Sequence, residues 1–267
     1  MNIRVENLQF SYPNGVEAIQ GIDLEINSGE LVAIVGQNGS GKTTLVKHFN
    51  GLLKPTEGTV TIGDWQTTEH TVARLASRVG YVFQNPDEQL FTKTVLDELR
   101  FGPQNLGYPE DKIEELVSFA LEITDLLGEE NTNPYDLSPT WRKMVALGSI
   151  IAMDPPIVIF DEPTTGQDAV NVSRIQAAVQ ALAAGGKTVI TISHDIDFCA
   201  ENFQRIVALR DGKILLDGPS TAVFSHVDEL ASTFVDPPQI TRLGAALNIA
   251  DPVVTISDFL QAFQQSL

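Results

Sequence analysis

Cysteine, basic residues and long apolar runs are all scarce in this chain of 267 residues. Its one cysteine, Cys199, excludes an intrachain disulfide and a metal site built from several cysteines, and it fits a reducing compartment. Only 17 Lys and Arg residues stand against 35 Asp and Glu residues, which gives a net charge of −18. A surface this acidic repels phosphate backbones and anionic lipids, so we expect no nucleic-acid partner.

No apolar run approaches the roughly 18 residues that would suggest a membrane-spanning helix. The first residues include the charges of Arg4 and Glu6, which a secretory signal peptide would not have among its apolar residues. Any membrane role is therefore expected to depend on a partner. Hydrophobic residues make up 43% of the chain and charged residues 19%, which is typical of a folded protein and excludes a disordered one.

Short continuous apolar runs indicate buried strands. LVAIV (31–35), IVIF (157–160) and TVITIS (188–193) each have the length of a strand that is covered on both faces of a sheet. Helical stretches separate these runs, and this alternation predicts an α/β fold with a largely parallel sheet. The alternating segment 3–12 predicts one more strand, which Pro13-Asn14-Gly15 ends.

The middle of the chain is predicted to be helical, in an insert at about 86–152. One helix is predicted within 109–128, and a second from about 138 to 152, with Ser138 as its N-cap and Pro139 at its first position. The apolar residues at helical spacing in the first are Ile113, Leu116, Val117, Ala120 and Leu121. Asp217-Gly218-Pro219 is expected to close the α/β region, and short helices are expected in the tail.

The strongest local signal is GQNGSGKT at 36–43, which fits the phosphate-binding loop pattern and directly follows the predicted strand 31–35. Glycines let backbone N–H groups surround phosphate oxygens, and a helix N-terminus adds a favourable dipole. Lys42 is expected to reach the β- and γ-phosphates of a nucleotide, and the Thr43 hydroxyl to bind Mg²⁺. A glycine-rich turn with a surface lysine is the alternative. The expected ligand-binding residues are Asn38, Gly39, Ser40, Gly41, Lys42, Thr43 and Thr44.

Polar residues also follow two other predicted strands. Ligands of open α/β sheets bind at the carboxyl ends of the strands, so Asp161 is a candidate Mg²⁺ ligand and Glu162 a candidate base for an attacking water. Alone, such an Asp-Glu pair is usually a solvated turn, and the phosphate loop upstream favours the functional interpretation. His194 follows TVITIS, and its imidazole is expected at the same sheet edge, within reach of a γ-phosphate.

In this order the motifs resemble those of the ATP-binding subunits of ABC transporters, over nearly all of 1–218. The resemblance implies a P-loop NTPase fold with an N-terminal antiparallel β region, a helical insert and a short C-terminal extension. It makes GQNGSGKT the Walker A motif, IVIFDEP (157–163) the Walker B motif and His194 the switch histidine. ATP and Mg²⁺ are the cofactors that it implies.

Three further residues take their expected roles from the same resemblance. Tyr12, in FSYPNG, matches the aromatic residue that stacks on adenine. Gln84, in VFQNPDEQLF, matches the glutamine that senses the Mg²⁺–nucleotide complex and faces the transmembrane partner. Asp168, in TGQD (165–168), matches the residue of the D-loop that contacts the other subunit of a dimer.

One motif departs from the family, because LSPTW (137–141) stands where the family has LSGGQ. In head-to-tail dimers of this family each signature contacts the nucleotide that the other subunit holds. Ser138 keeps a hydroxyl for that contact, but Pro139 has no N–H, Thr140 is β-branched and Trp141 is bulky. We therefore expect a weakened signature and favour a heterodimer with a subunit carrying LSGGQ, although a homodimer is possible. The alternative is that Ser138 and Pro139 only cap and start a helix.

Two segments, VFQNPDEQLF (82–91) and TVLDELRFGPQNLG (94–107), resemble the ATPases of energy-coupling factor transporters, which power the uptake of vitamins and of nickel or cobalt. The tail 219–267 resembles their C-terminal extension, which helps to hold two ATPases together. Its apolar residues are expected to bury either against a partner or against the core of the chain itself. These residues are Leu243, Ala246, Leu247 and Ile249.

The expected function is therefore ATP hydrolysis that powers an importer, by a peripheral subunit at the cytoplasmic face of the cell membrane. Its expected partners are a second ABC ATPase, a transmembrane coupling protein and a membrane subunit that binds the substrate. Two alternatives stay open. One is a soluble ABC ATPase of cofactor assembly, and the other is a nucleotide-binding regulatory subunit with little hydrolysis.

Overall fold

The computed structural model describes residues 1–247, 249 and 252–266. Asn248, Ala250, Asp251 and Leu267, which fall within the predicted C-terminal extension, lie outside the described residues. Among the described residues the strands are β1 Ile3–Ser11, β2 Glu17–Ile26, β3 Leu31–Val35, β4 Glu57–Ile62, β5 Trp65–Gln66, β6 Val79–Val82, β7 Ile157–Asp161, β8 Thr188–Ile192, β9 Arg205–Arg210 and β10 Lys213–Pro219. The helices are α1 Lys42–Phe49, α2 Val72–Leu75, α3 Val95–Asn105, α4 Glu110–Ile123, α5 Pro139–Ala152, α6 Ala169–Ala184, α7 Ile196–Asn202, α8 Ser220–Ser225, α9 Val227–Ala231, α10 Gln239–Ala246 and α11 Ile256–Ser266.

The larger sheet has the order β10-β9-β3-β8-β7-β6, and all its neighbouring pairs are parallel except β10 with β9. The strands predicted from the three apolar runs are confirmed as β3, β7 and β8, and they lie side by side in this sheet. Because parallel neighbours end at the same edge, the phosphate loop, the Asp-Glu pair and His194 are all brought to one edge of the sheet.

The smaller sheet is antiparallel, has the order β2-β1-β4-β5, and confirms the expected N-terminal β region. Its inner face packs with α1 against one face of the larger sheet, in a core that includes Ile3, Phe49 and Ile34. The other face of the larger sheet packs against α5, α6 and α7 in a second core, which includes Val158, Val145 and Val179. The strands β3, β7 and β8 are therefore covered on both faces, as continuous apolar runs require.

The segment 86–152 contains α3, α4 and α5 together with 3-10 turns at Pro86–Glu88 and Pro134–Asp136. The five apolar residues predicted for the first helix are all buried on one side of α4. The predicted start of the second helix is confirmed, because the Ser138 Oγ accepts a hydrogen bond from the Trp141 N–H at 3.4 Å and Pro139 is the first residue of α5. LSPTW therefore lies at the N-terminal end of α5.

Asp217-Gly218-Pro219 completes β10 instead of forming a turn, and α8 begins at the next residue. The short helices expected in the tail are α8 to α11, and Phe224 and Leu230 join the core beside α5 and α6. Leu243 and Leu247 are 45% and 50% exposed, so in this single chain they do not cover the core. Among the described residues, none of the helices is both long and apolar enough to cross a membrane.

Candidate functional site

The phosphate loop between β3 and α1 depends on glycine at two crowded positions. Gly36 has φ +144°, and a Cβ there would lie 2.3 Å from the Leu209 carbonyl oxygen. Gly41 has φ +103°, and a Cβ there would lie 2.6 Å from the Ala18 carbonyl oxygen. No larger residue fits these conformations and contacts, so the two glycines set the path of the loop over the end of the sheet.

The lysine of the loop is folded under it. Lys42 is buried, and its Nζ donates hydrogen bonds to the carbonyl oxygens of Gly36 at 2.7 Å and Gln37 at 2.9 Å. The pKa of Lys42 is lowered, because the effect of burial is larger than the opposing effect of the Glu162 and Asp161 carboxylates. A phosphate group at the loop would therefore meet an ammonium group that is already positioned and that has little contact with water.

A cleft of about 310 Å³ opens above this loop. It brings together nine of the residues predicted from the sequence. The lining residues are Asn38, Gly39, Gly41, Lys42, Thr43, Thr44, Gln84, Glu162 and His194, with Thr165 in addition. The loop, the residue after β7 and the residue after β8 thus share one cavity, as the sheet-edge argument predicts.

Glu162 is held at the floor of the cleft by several donors. Its Oε1 lies 3.2 Å from the His194 Nε2, and its Oε2 accepts hydrogen bonds from the His194 N–H at 3.2 Å and the Thr165 hydroxyl at 3.3 Å. The Glu162 backbone has φ +51°, a left-handed conformation that costs a non-glycine residue about 1–3 kcal/mol. The surrounding structure offsets this cost and fixes one orientation of the carboxylate.

Asp161 ends β7 directly beneath Glu162 and is also buried. Its Oδ2 accepts a hydrogen bond of 2.5 Å from the Tyr81 hydroxyl of the neighbouring β6. Burial and the Asp161 charge raise the pKa of Tyr81 well above its usual range, so the hydroxyl remains a donor. The buried Oδ1 has no hydrogen-bond partner among the described residues, which leaves one oxygen free for a cation.

The remaining predicted residues lie outside the lining of the cleft. Ser40 is buried in the phosphate loop. Tyr12 is close to the loop, since its Oη lies 3.0 Å from the Thr44 Oγ1, and its ring packs edge-on against Phe10 at 4.9 Å. Asp168 is exposed and caps α6, where its Oδ1 accepts a hydrogen bond from the Asn171 N–H at 2.8 Å.

Ser138 is exposed at the start of α5, and its Oγ lies 2.8 Å from the Thr140 Oγ1. The bulk of Trp141 is turned partly inward, because the ring packs against the core and the Arg174 guanidinium of α6 lies 4.7 Å from the ring centroid. The LSPTW turn is therefore fixed to α6 and to its own cap, and it does not contribute to the cleft of its own chain.

Sequence reasoning missed three residues of the site, namely Tyr81, Lys143 and Thr165. The signal for Lys143 was weak, because it directly follows Arg142 and stands at the edge of the apolar run MVAL (144–147) of a predicted helix. The structure shows it buried, with its Nζ 2.9 Å from the Glu162 carbonyl oxygen. Tyr81 and Thr165 gave no comparable signal, since only the pairing of β6 with β7 and the turn after Glu162 bring them to the carboxylates.

Comparison with known proteins identifies this arrangement. The sequence matches the ABC transporter family over residues 19–165. A putative ABC transporter ATP-binding protein of Methanosarcina acetivorans is 41% identical over 98% of this chain and 44% of its own length, so the chain spans less than half of that relative. The energy-coupling factor transporter ATP-binding protein EcfA of Methanocaldococcus jannaschii is 37% identical over 94% of this chain and 91% of its own length.

Solved structures give the same result. The cbiO1 protein of Clostridium perfringens, part of the ABC transporter complex cbiONQ, superposes with a TM-score of 0.77 at 32% identity, over 92% of this chain and 98% of its own. A dimeric ATP-binding cassette in a post-hydrolysis state with bound ADP and Pi superposes with a TM-score of 0.74 at 28% identity, over 81% of this chain and 98% of its own. This chain belongs to the ABC transporter family, and its relatives include ATP-binding proteins of energy-coupling factor transporters.

Proposed function

We propose that this chain is the ATP-hydrolysing subunit of an importer of the energy-coupling factor type, for a vitamin or a transition metal. The observation that supports this function best is the single cleft in which the phosphate loop, Glu162 and His194 meet. A purely structural nucleotide site would need the loop but would not need a buried carboxylate held beside a histidine. The similarity to EcfA proteins favours this branch of the family.

In this proposal the phosphates of ATP bind in the loop, at residues 38–44. Lys42 exchanges its two carbonyl partners for β- and γ-phosphate oxygens, an exchange that a buried ammonium group favours because the charged partner is stronger. The adenine stacks on Tyr12, whose ring lies beside the start of α1 and is only half buried. The negative charge of the whole protein does not oppose this binding, because the local field of the loop and of Lys42 is positive.

The residues present fit a Mg²⁺ ion. Mg²⁺ prefers oxygen ligands and uses few carboxylates when phosphates are present, and the buried Asp161 Oδ1 is an oxygen without a hydrogen-bond donor. Thr43 and Gln84 line the same cleft and offer a hydroxyl and an amide oxygen. We propose that Asp161, Thr43 and Gln84 hold the ion, which when bound neutralises charge on the phosphate oxygens.

Glu162 acts as the base that orients and deprotonates the attacking water. Its left-handed backbone, the hydrogen bonds from the His194 N–H and the Thr165 hydroxyl, and the nearby His194 Nε2 keep the carboxylate at the floor of the cleft instead of free in solvent. His194 lines the same cleft as the phosphate loop, and from there its imidazole can contact the γ-phosphate. Lys42 stabilises the negative charge that develops on the transferred group.

The proposal requires a second ATPase subunit, because Ser138 and Asp168 are exposed and lie outside the cleft of their own chain. We favour a heterodimer in which the partner supplies an LSGGQ signature to this chain's nucleotide. Residues 1–218 are the ATPase domain and 219–267 an extension at the subunit contact, which the half-exposed Leu243 and Leu247 support. A coupling protein docks beside Gln84 at the cytoplasmic face of the membrane, and another membrane subunit binds the substrate.

A second candidate function, a regulatory subunit that binds nucleotide and hydrolyses little, is favoured by the geometry of LSPTW. The Ser138 hydroxyl is already engaged by Thr140 and by the Trp141 N–H. Pro139 offers no N–H at the first position of α5. In that case the partner's nucleotide, held against this chain's LSPTW, would be bound without being turned over and would serve to close the dimer.

Glu162→Gln separates these functions. The variant is purified together with the proteins that accompany the wild-type chain, and both ATP binding and phosphate release are measured. We expect ATP binding to persist and turnover at this chain's site to stop. Glu122→Gln, which changes an exposed carboxylate of α4, is the matched control and should keep wild-type turnover. Unchanged turnover in Glu162→Gln would refute the role of Glu162. A chain that does not attach to membranes even when the coupling protein is present would refute the transport function.

A further inference from the structure

Lys143 is a buried lysine on the second turn of α5, the helix that starts at LSPTW, and it is only 5% exposed. Its Nζ donates hydrogen bonds to two backbone carbonyl oxygens, that of Glu162 at 2.9 Å and that of Thr165 at 3.1 Å. These two residues begin and end the tight turn after β7. One side chain of α5 therefore bridges the two ends of the turn that presents the Glu162 carboxylate.

The main chain of Glu162 depends on contacts from both sides. Its N–H donates to the Ile192 carbonyl oxygen of β8 at 2.9 Å, and its own carbonyl oxygen accepts from Lys143 and, at 3.4 Å, from the Thr165 N–H. The left-handed φ of +51° is a conformation that a glutamate leaves readily unless the surroundings hold it. Of the two hydrogen bonds to the Glu162 carbonyl oxygen, the one from the Lys143 ammonium group is shorter than the one from the Thr165 N–H, and only its donor is charged.

Charge supports the same placement. Burial lowers the pKa of Lys143, while the neighbouring carboxylates of Glu162 and Asp161 raise it. Two buried ammonium groups, Lys42 and Lys143, thus face two buried carboxylates. The positive and negative charges of this site are therefore equal in number.

We propose that Lys143 is a positioning residue for hydrolysis, which holds the turn from Glu162 to Thr165 and so links the signature helix of this chain to its own base. The inference rests on the proposed role of Glu162. It gives α5 a second function that does not depend on the LSGGQ sequence. A chain whose signature is weakened still needs α5 in place, because the same helix orients the glutamate of its own cleft.

The test uses the full chain with its accompanying subunits and three variants. Lys143→Met removes both donors and keeps the length of the side chain. Lys143→Arg keeps the positive charge and the donors. Lys187→Met is the matched control, since Lys187 also donates to a backbone carbonyl oxygen, that of Asp154 at 3.0 Å, far from the cleft. For each variant kcat, KM for ATP, the affinity for a fluorescent ATP analogue and the thermal midpoint are measured.

In Lys143→Met we expect kcat to fall about 10- to 100-fold, the loss that follows when hydrogen bonds from a charged donor are removed. KM and nucleotide affinity should stay near their wild-type values, because the phosphate loop is untouched. Lys143→Arg should recover most of kcat, and Lys187→Met should lower the thermal midpoint without lowering kcat. If Lys143→Met does not fold, Lys143→Gln replaces it, with the same expected split between kcat and KM.

Wild-type kcat in a folded neutral variant overturns the inference, and so does a loss of kcat that is matched by an equal loss of nucleotide affinity. Glu162→Gln, measured alongside, separates this failure from failure of the proposed function. If Glu162→Gln retains turnover, the assignment of the base is wrong. If it stops turnover while Lys143→Met does not change kcat, only the inference about Lys143 fails.

Discussion

Replacing Tyr81 by phenylalanine tests whether the carboxylate that ends β7 depends on the neighbouring strand. Tyr81 is buried, and its hydroxyl donates a 2.5 Å hydrogen bond to the Asp161 Oδ2. The other oxygen of that carboxylate, Oδ1, has no donor among the described residues. Phenylalanine keeps the ring and its packing, so Tyr81→Phe leaves both oxygens of a buried carboxylate without a donor from the described chain.

The expected magnitude follows from the partner's charge. A hydrogen bond to a charged group contributes about 1.5–3 kcal/mol to stability, and a neutral one about 0.5–1.5 kcal/mol. Tyr135→Phe is the control, because the Tyr135 hydroxyl donates to the neutral Leu90 carbonyl oxygen at 2.7 Å and the side chain is 49% exposed. From the middle of these two ranges we expect Tyr81→Phe to lower the free energy of unfolding about twice as much as Tyr135→Phe.

Urea unfolding at equilibrium, with and without Mg²⁺ and ADP, is the assay. If Asp161 binds the ion, Mg²⁺ compensates the carboxylate charge that the Tyr81 hydroxyl no longer stabilises. The loss of unfolding free energy in Tyr81→Phe should then be smaller when Mg²⁺ and ADP are present. ADP without Mg²⁺ should not produce this recovery. A deficit no larger than that of Tyr135→Phe would refute the argument that Asp161 relies on Tyr81. A deficit that Mg²⁺ leaves unchanged would refute the assignment of Asp161 as its ligand.

Two further predictions concern the signature and the buried Lys42. Changing Pro139, Thr140 and Trp141 to Gly, Gly and Gln should raise ATP hydrolysis by the chain alone, while loss of the Trp141–Arg174 contact should lower stability by about 0.5–1 kcal/mol. Phosphate release and urea unfolding measure both effects, and unchanged hydrolysis would mean that the signature does not limit turnover. Burial lowers the pKa of Lys42 below its usual 10.5, so the unfolded chain binds more protons there than the folded chain. The free energy of unfolding should therefore rise with pH between the lowered pKa of Lys42 and 10.5. The rise should be less steep in Lys42→Met, and equal pH slopes in the two proteins would contradict the lowered pKa.

Three neighbouring strands of the larger sheet, β3, β8 and β7, could be predicted because their signal is local. LVAIV, IVIF and TVITIS are continuous apolar runs, and such runs need cover on both faces, which a parallel sheet between two layers provides. The end of β10 could not be predicted from the sequence, because Asp217-Gly218-Pro219 has the composition of a turn. These residues pair with Val207, Ile206 and Arg205 of the preceding strand β9, and this antiparallel pairing outweighs their local preference.

The residues of the site also fall into two groups, those that could be predicted from the sequence and those that could not. Glu162 and His194 were predictable because a residue after a parallel strand must lie at the edge where its neighbours also end. Tyr81 and Lys143 were not, because their roles depend on which strand lies beside β7 and on how α5 is turned about its axis. Sequence spacing places Lys143 in an apolar helix, but only the packing of α5 against the turn after β7 brings its Nζ to two carbonyl oxygens.

The first two turns of α5 explain why one chain can combine a well-formed cleft with a poor signature. At its start, Pro139 removes one N–H and the Ser138 hydroxyl is already bonded within the turn, so a partner's nucleotide would lose one donor and compete for another. One lost donor to a charged group corresponds to about 1.5–3 kcal/mol, or roughly 10- to 100-fold in affinity or rate. One turn later, the Lys143 Nζ contacts the backbone carbonyl oxygen of Glu162 in its own chain. We therefore expect the weakness to fall on the partner's nucleotide, while this chain's own site remains limited only by the signature that the partner supplies.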